Sequence, residues 1–201
     1  MGNTIITIGR EFGSGGREFG RRLAEELGYE YYDKEIITEI SKQTSLSVEY
    51  VQEILEKKPH NLYPITIGQS FRYTNNYQMN QIQTIFKAQC DIIKTLAEKS
   101  SCVIVGRCAD YILAEYNPYK FFIYADMDSR INRCLSRSSE YENYTYKKMK
   151  KMIKKIDKER AKYYDFYAGK KWGDKSNYDL CINTTDTEIK KIVPIIAKMF
   201  K

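Results

Sequence analysis

The sequence predicts an α/β fold, an open parallel sheet covered by helices on both faces. Three observations carry this. Five β-type runs alternate with helical patterns along the 201 residues, the order that builds right-handed strand–helix–strand units. The third and fourth runs, Cys102–Val105 and Phe121–Ala125, are almost unbroken apolar strings, as expected of strands covered on both faces. The first run, Thr4–Ile8, feeds at once into a glycine-rich turn and then into a helix.

Each element has its own signal. After the turn Gly13-Ser14-Gly15-Gly16, the residues Phe19, Leu23, Ala24 and Leu27 share one helical face, and Gly28 stops the helix begun at Arg17. A short strand, Tyr29–Tyr32, leads into helical patterns over Asp33–Lys42 and Val48–Glu56. The stretch Lys57–Asn76 has two prolines, a glycine and no period, and reads as part of an inserted lobe. Further helices are expected over Tyr77–Lys99, Ser129–Arg137, Thr145–Phe166 and Thr187–Lys198, with a last strand over Tyr178–Asn183. Within Thr145–Phe166, Met149, Met152, Ile153, Ile156, Tyr163 and Tyr164 form an inward stripe while lysines fill the outer face. Arg160 follows Ile156 by four residues and falls on the inward stripe. An arginine there needs an anionic partner, either a local carboxylate such as Asp157 or a phosphate.

Bulk properties narrow the function. A net charge of +7 points to a polyanionic partner, a nucleic acid or a nucleotide triphosphate. No apolar run reaches the roughly 18 residues of a membrane span, and no charged-then-apolar signal segment opens the chain, so the expectation is a cytoplasmic protein. The five cysteines are scattered without a C-x-x-C pair, which argues against a disulfide framework or a zinc site.

The strand–glycine loop–helix order is the context in which a phosphate-binding loop has meaning. Glycines let backbone N–H groups converge, and the helix N-terminus adds partial positive charge. Against the pattern G-x-x-x-x-G-K-[ST], however, Gly16 stands where the lysine is expected, followed by Arg17 and Glu18.

Along its length the chain resembles the cytidylate kinase-like family of nucleoside monophosphate kinases. The resemblance rests on Gly13-Ser14-Gly15 in the loop and on Leu27-Gly28-Tyr29-Glu30-Tyr31-Tyr32-Asp33 in a second strand ending in aspartate. It continues in Val103-Ile104-Val105-Gly106-Arg107, in Ala125-Asp126-Met127-Asp128-Ser129-Arg130-Ile131-Asn132-Arg133, in Asp157-Lys158-Glu159-Arg160 with Tyr163-Tyr164, and in the last strand, Tyr178 to Thr184. A subgroup with the loop R-E-F-G-S-G-G-R, lacking the lysine, fits best. The resemblance implies a P-loop kinase three-layer fold with a five-stranded parallel sheet, an inserted monophosphate-binding lobe and a helical lid. It implies one domain over 1–201, with core 1–40, 78–130 and 176–201, lobe about 41–77 and lid about 131–175. It further implies transfer of the γ-phosphoryl of ATP, with Mg2+, to CMP, dCMP or a related small acceptor.

By the same resemblance Gly13, Ser14, Gly15, Gly16, Arg17 and Glu18 bind the nucleotide, and Arg17, Arg130, Arg133 and Arg160 gather on the transferred group. Asp33 and Arg107 hold the acceptor. Each has a plainer alternative: a solvated first-turn arginine for Arg17, a helix N-cap for Asp33, a salt bridge for Arg107, and a solvated basic face for Arg130, Arg133 and Arg137. Glu18 either binds the ion or faces solvent, and the sequence leaves the metal ligands unassigned. His60 has no expected role, and Trp172 is expected to anchor the return loop of the lid. Two other functions stay open: a module that binds ATP without turnover, and a basic nucleic-acid-binding protein, for which no recognisable motif is present.

Overall fold

The computed structural model describes residues 2–56, 74–137, 141 and 143–200, with the side chains of Glu56, 74–79 and Arg137 excepted. Most of Lys57–Asn76, with His60, and the Arg137 side chain therefore lie outside the described residues.

Five strands form one all-parallel sheet: β1 (Ile5–Arg10), β2 (Glu30–Tyr32), β3 (Cys102–Val105), β4 (Tyr119–Tyr124) and β5 (Leu180–Asn183), in the spatial order β2-β3-β1-β4-β5. The helices are α1 (Gly16–Leu27), α2 (Glu35–Thr44), α3 (Val48–Glu56), α4 (Thr74–Lys99), α5 (Ala109–Ile112), α6 (Met127–Arg137), α7 (Tyr146–Ala168) and α8 (Ile189–Ala197).

Three layers follow from the alternation of side chains along the central strands. Ile6, Ile8, Val103, Val105, Phe121 and Ile123 pack with Phe19 and Leu23 of α1 and Val193 of α8. Ile5, Cys102 and Ile104 point the other way, into a cluster with Ile36 and Ile40 of α2, Val51 of α3, Ile85 and Ile93 of α4, and Tyr163 and Tyr164 of α7. Burying both faces is the reason the strand runs are apolar throughout.

A third, smaller cluster joins α6 to α7 through Ile131, Cys134, Met149 and Ile153. The α7 helix of this pair spans the segment in which an inward stripe is expected. Its inward stripe is as expected, with Met149, Ile153, Tyr163 and Tyr164 buried and Met152 and Ile156 partly so. Thr145 caps α7, its hydroxyl accepting from the Lys148 N–H at 3.3 Å.

Two differences from the expected elements bear on function. Strand β1 runs on to Arg10, because its ladder with β4 continues to the pair Arg10–Ile123. The segment after β3 contains α5, a helix too short for its period to stand out in the sequence. The turn that precedes α5 is also unusual: Gly106, Arg107 and Cys108 are consecutive residues with φ of 75°, 59° and 52°. Left-handed backbone at two non-glycine residues costs of order 1–3 kcal/mol each, and such strain concentrates at functional sites.

Candidate active site

The glycine loop, residues 11–15, joins the C-terminal end of β1 to α1. Gly13 and Gly15 hold φ of 80° and 83°, which only glycine adopts without strain. Every carbonyl from Arg10 to Gly15 is tied into the protein. Arg10 O accepts from Arg160 Nη1 at 3.2 Å and Phe12 O from Arg130 Nε at 2.7 Å. Gly13 O accepts from Arg133 Nη1 at 2.8 Å and Ser14 O from Thr184 Oγ1 at 2.6 Å. Glu11 O accepts from the Ser14 hydroxyl at 2.9 Å, and Gly15 O from the Phe19 N–H at 2.9 Å. With its oxygens committed in this way, and the N–H groups of Glu11, Phe12 and Ser14 donated inside the protein, the loop leaves the amides of Gly13 and Gly15 and the first turn of α1 as a surface suited to an anion. Ser14 is fully buried and its hydroxyl is used inside the loop, so it serves the cradle through its backbone.

The arginines divide into two groups. Arg130 and Arg133, both on α6, support the loop from outside. Arg130 is 5% exposed in its side chain; besides Phe12 O it binds Glu11 at 3.1 Å and pairs with Asp157 of α7. Asp157 in turn accepts the Phe12 N–H at 2.7 Å. Arg133 Nη2 donates to Thr184 O at 2.9 Å, joining the loop to the segment after β5. Glu11 also accepts the Ala125 N–H at 3.2 Å; burial raises its carboxyl pKa, while Arg130 and that hydrogen bond oppose the rise.

Arg10, Arg17, Arg107 and Arg160 form the second group. Coming from β1, α1, the β3–α5 turn and α7, they line one cavity of about 80 Å3 at the C-terminal ends of β1 and β3. Leu55 of α3, Tyr163 and Tyr164 of α7, Trp172 and Tyr178 complete its wall. Open parallel sheets bind ligands at this edge.

One carboxylate, Asp33, stands between two of these arginines. Arg17 Nε is 2.6 Å from its Oδ2, and Arg10 Nη2 is 3.8 Å from its Oδ1. Asp33 Oδ1 is buried without a hydrogen-bond partner. Asp33 does not cap a helix: α2 begins after Lys34, with no side-chain cap. Arg17 is accordingly ion-paired, although its side chain is 49% exposed.

Arg107 is held by its backbone. Gln89 of α4, fully buried, donates through Nε2 to Arg107 O at 3.0 Å and supports the left-handed turn. Nothing in the helical pattern of Tyr77–Lys99 marks Gln89 apart from its being polar on an inward face.

Arg160 lies with its guanidinium carbon 5.5 Å from the centroid of the Phe12 ring, and its Nη1 is 3.8 Å from Asp157 Oδ1. Because Asp157 is engaged by Arg130 and the Phe12 N–H, the local carboxylate is not dedicated to Arg160. Trp172 packs edge-on to Phe122, ring centroids 5.3 Å apart, and its backbone N–H donates to Asp165 Oδ1 at 2.8 Å.

Asp110, at the start of α5, also lines the cavity. Its carboxylate accepts the Tyr164 hydroxyl at 2.6 Å; burial raises its pKa, and that hydrogen bond opposes the rise.

Magnesium finds no ready-made cage here. Arg17 takes the place of a hydroxyl residue, Glu18 is paired with Arg22 at 2.9 Å, and among the described residues no group of three or more His, Cys, Asp or Glu side chains could hold a metal.

The sequence missed Arg10. It lies two residues past the expected strand Thr4–Ile8, and only the fold extends that strand to Arg10 and carries its side chain across to β3. Gly106 was the available signal, because a Cβ there would fall on the Arg10 guanidinium, with Arg10 Cζ at 2.7 Å.

Comparison with known proteins agrees with this architecture. The profile described as cytidylate kinase-like family matches residues 5–186. Cytidylate kinase from Saccharolobus islandicus is 21% identical over 193 residues, covering 96% of this chain and 88% of that protein. Among solved structures, an uncharacterised protein from Eubacterium ventriosum is 32% identical with a TM-score of 0.68, covering 98% of each chain. The shikimate kinase of Bacteroides thetaiotaomicron has the same fold, with a TM-score of 0.56 at 13% identity and 98% coverage of each chain.

Proposed function

Because the chain belongs to the cytidylate kinase-like family, we propose that it transfers the γ-phosphoryl group of ATP to a small phosphorylated acceptor, CMP or dCMP foremost. The observation that carries this reading is the cavity into which four separate elements each bring an arginine, beside a loop whose carbonyls are all engaged elsewhere.

Phosphoryl transfer asks little covalent chemistry of a protein; positioning and offsetting of charge supply most of the rate. The loop amides, residues 13–16 with the start of α1, would hold the donor's phosphates. Arg107 and Arg160 would hold the acceptor's phosphate, and Arg17, at the loop's helix end and beside Asp33, would stand between donor and acceptor. Asp33 keeps Arg17 in place, and its second oxygen remains available to an acceptor hydroxyl or amine. Magnesium carried by ATP would neutralise part of the phosphate charge. Arg130 and Arg133 act one step back, fixing the loop and tying it to the lid. The acceptor lobe, about 41–77, and the lid, about 131–175, are the parts that would close over the two substrates.

Incubation with MgATP and a panel of monophosphates, following ADP release and the diphosphate formed, tests this reading. Phosphorylation of CMP or dCMP is the expected result. A second reading rests on Gly16, which denies the loop its lysine: a module that holds ATP without turnover. Tight MgATP binding with no product from any acceptor would favour it.

A further inference from the structure

The loop can be laid on the pattern G-x-x-x-x-G-K-[ST] with Gly15 as its second glycine. The first glycine then falls on Arg10 and the lysine on Gly16. The glycine and the cation have changed places.

The structure gives a physical reason why the two positions are coupled. A Cβ at Gly16 would lie 2.5 Å from Arg10 Cβ and 3.0 Å from its Cγ. Those atoms are the stiff root of a side chain and cannot swing away. A lysine at 16 is therefore incompatible with an arginine at 10. From that root the Arg10 side chain runs into the cavity, 12% exposed, and crosses the space left by Gly106. Its nearest carboxylate, on Asp33, is 3.8 Å away, and Arg10 Nε is buried with no hydrogen-bond partner.

We propose that Arg10 is the phosphate-binding cation of this loop, supplying from the strand end the charge that residue 16 cannot, with Gly16 and Gly106 as the clearance its side chain needs. This rests on the phosphotransferase reading and extends it. A side chain placed there only to hold the fold would be expected to sit among well-matched acceptors. Arg10 instead stands among Arg160, Arg107 and Arg17, which together with burial lower its pKa, against the single opposing carboxylate of Asp33. An incoming phosphate relieves that repulsion.

The test uses the full chain and four variants: Arg10→Met, Arg10→Gly, Gly16→Lys and the double variant Arg10→Gly with Gly16→Lys. MgATP affinity by calorimetry, turnover on whichever monophosphate the unmutated protein accepts, and melting temperature are read on each. Arg10→Met keeps the stem and removes the charge; it should melt no lower than the parent, bind MgATP at least about 10-fold more weakly and lose roughly 100-fold in turnover. Gly16→Lys alone should lose melting temperature and turnover together. The double variant, with cation and glycine returned to the usual order, should recover at least about 10-fold over the better of Arg10→Gly and Gly16→Lys. Unchanged MgATP affinity and turnover in Arg10→Met, or a double variant no better than either single, would overturn the proposal. If the parent binds MgATP but phosphorylates nothing, the transfer reading fails alone, and Arg10 is judged on affinity. A parent that binds no MgATP removes both.

Discussion

The arginines behind the loop and those inside the cavity belong to the same residue type, yet their surroundings are opposite. Arg130 faces two carboxylates, Glu11 and Asp157, and the carbonyl of Phe12; Arg133 faces the carbonyls of Gly13 and Thr184. Around the cavity Arg10 and Arg17 share one aspartate, and Arg160 shares Asp157 with Arg130 and the Phe12 N–H. Where acceptors match donors, a buried arginine serves the fold, because removing it strands buried charge. Where cations outnumber carboxylates, the arrangement stores repulsion that an anion removes. The ratio of acceptors to guanidinium groups, rather than the presence of arginine, separates support from site.

The comparison breaks first at Arg130. Replacing it by Ala leaves Glu11 and Asp157 without their cation, a loss of about 3–5 kcal/mol, or roughly 6–20 °C in melting temperature for a chain of this size. A loss under about 2 °C would place Arg130 with the cavity group. Gly106→Ala attacks from the other side. The new Cβ displaces the Arg10 guanidinium at a φ of +75°, so MgATP binding should fall along with about 1–3 kcal/mol of stability. Unaltered binding there would mean that Arg10 does not need this path. Arg133→Ala should cost less than Arg130→Ala, about 1.5–3 kcal/mol, since it leaves behind the carbonyls of Gly13 and Thr184 and not the two carboxylates that Arg130 pairs with; denaturant unfolding of the two variants side by side checks the order.

The smallest effect is a pH dependence. The raised pKa of Asp110 means that the folded protein takes up this proton at a pH where the unfolded chain does not. Its contribution to stability is therefore full below the ordinary carboxylate range and is lost as pH rises through the raised value. Protonation also removes a negative charge from the cavity wall, so affinity for an anionic nucleotide should rise as pH falls through the same window. In Asp110→Asn both dependences should flatten. A parent-like profile in that variant would assign the titration to another group.

Much of this was legible in the sequence, for physical reasons. Glycine spacing, a strand before it and a helix after it announce the loop, and apolar strings announce a sheet covered on both faces. Helical periodicity put Arg160 on the inward stripe of α7. The same periodicity does not tell which face of α6 meets the loop, and the resemblance that places Arg130 and Arg133 with Arg17 and Arg160 does not show that their donors go to the loop's carbonyls. Asp33 at a strand end reads equally as a cap, and only the side chains of Arg10 and Arg17 decide its direction. Arg10 itself was beyond reach: its role depends on Gly106, far along the chain, and on a left-handed turn at Arg107 and Cys108 that no local residue preference foretells.

Arg160 offers the most direct measurement of the central claim, that the cavity arginines act on bound phosphate and not on the fold. Turnover per folded molecule and melting temperature should be taken on the same sample of Arg160→Ala. The account predicts a fall in turnover of roughly 100-fold, the size of one lost preorganised charge, with a melting temperature little changed, because the hydrogen bond lost at Arg10 O is offset as the repulsion on Arg10 eases. A protein that melts several degrees lower while each folded molecule keeps near-normal turnover would contradict it and return Arg160 to the fold as a partner of Asp157.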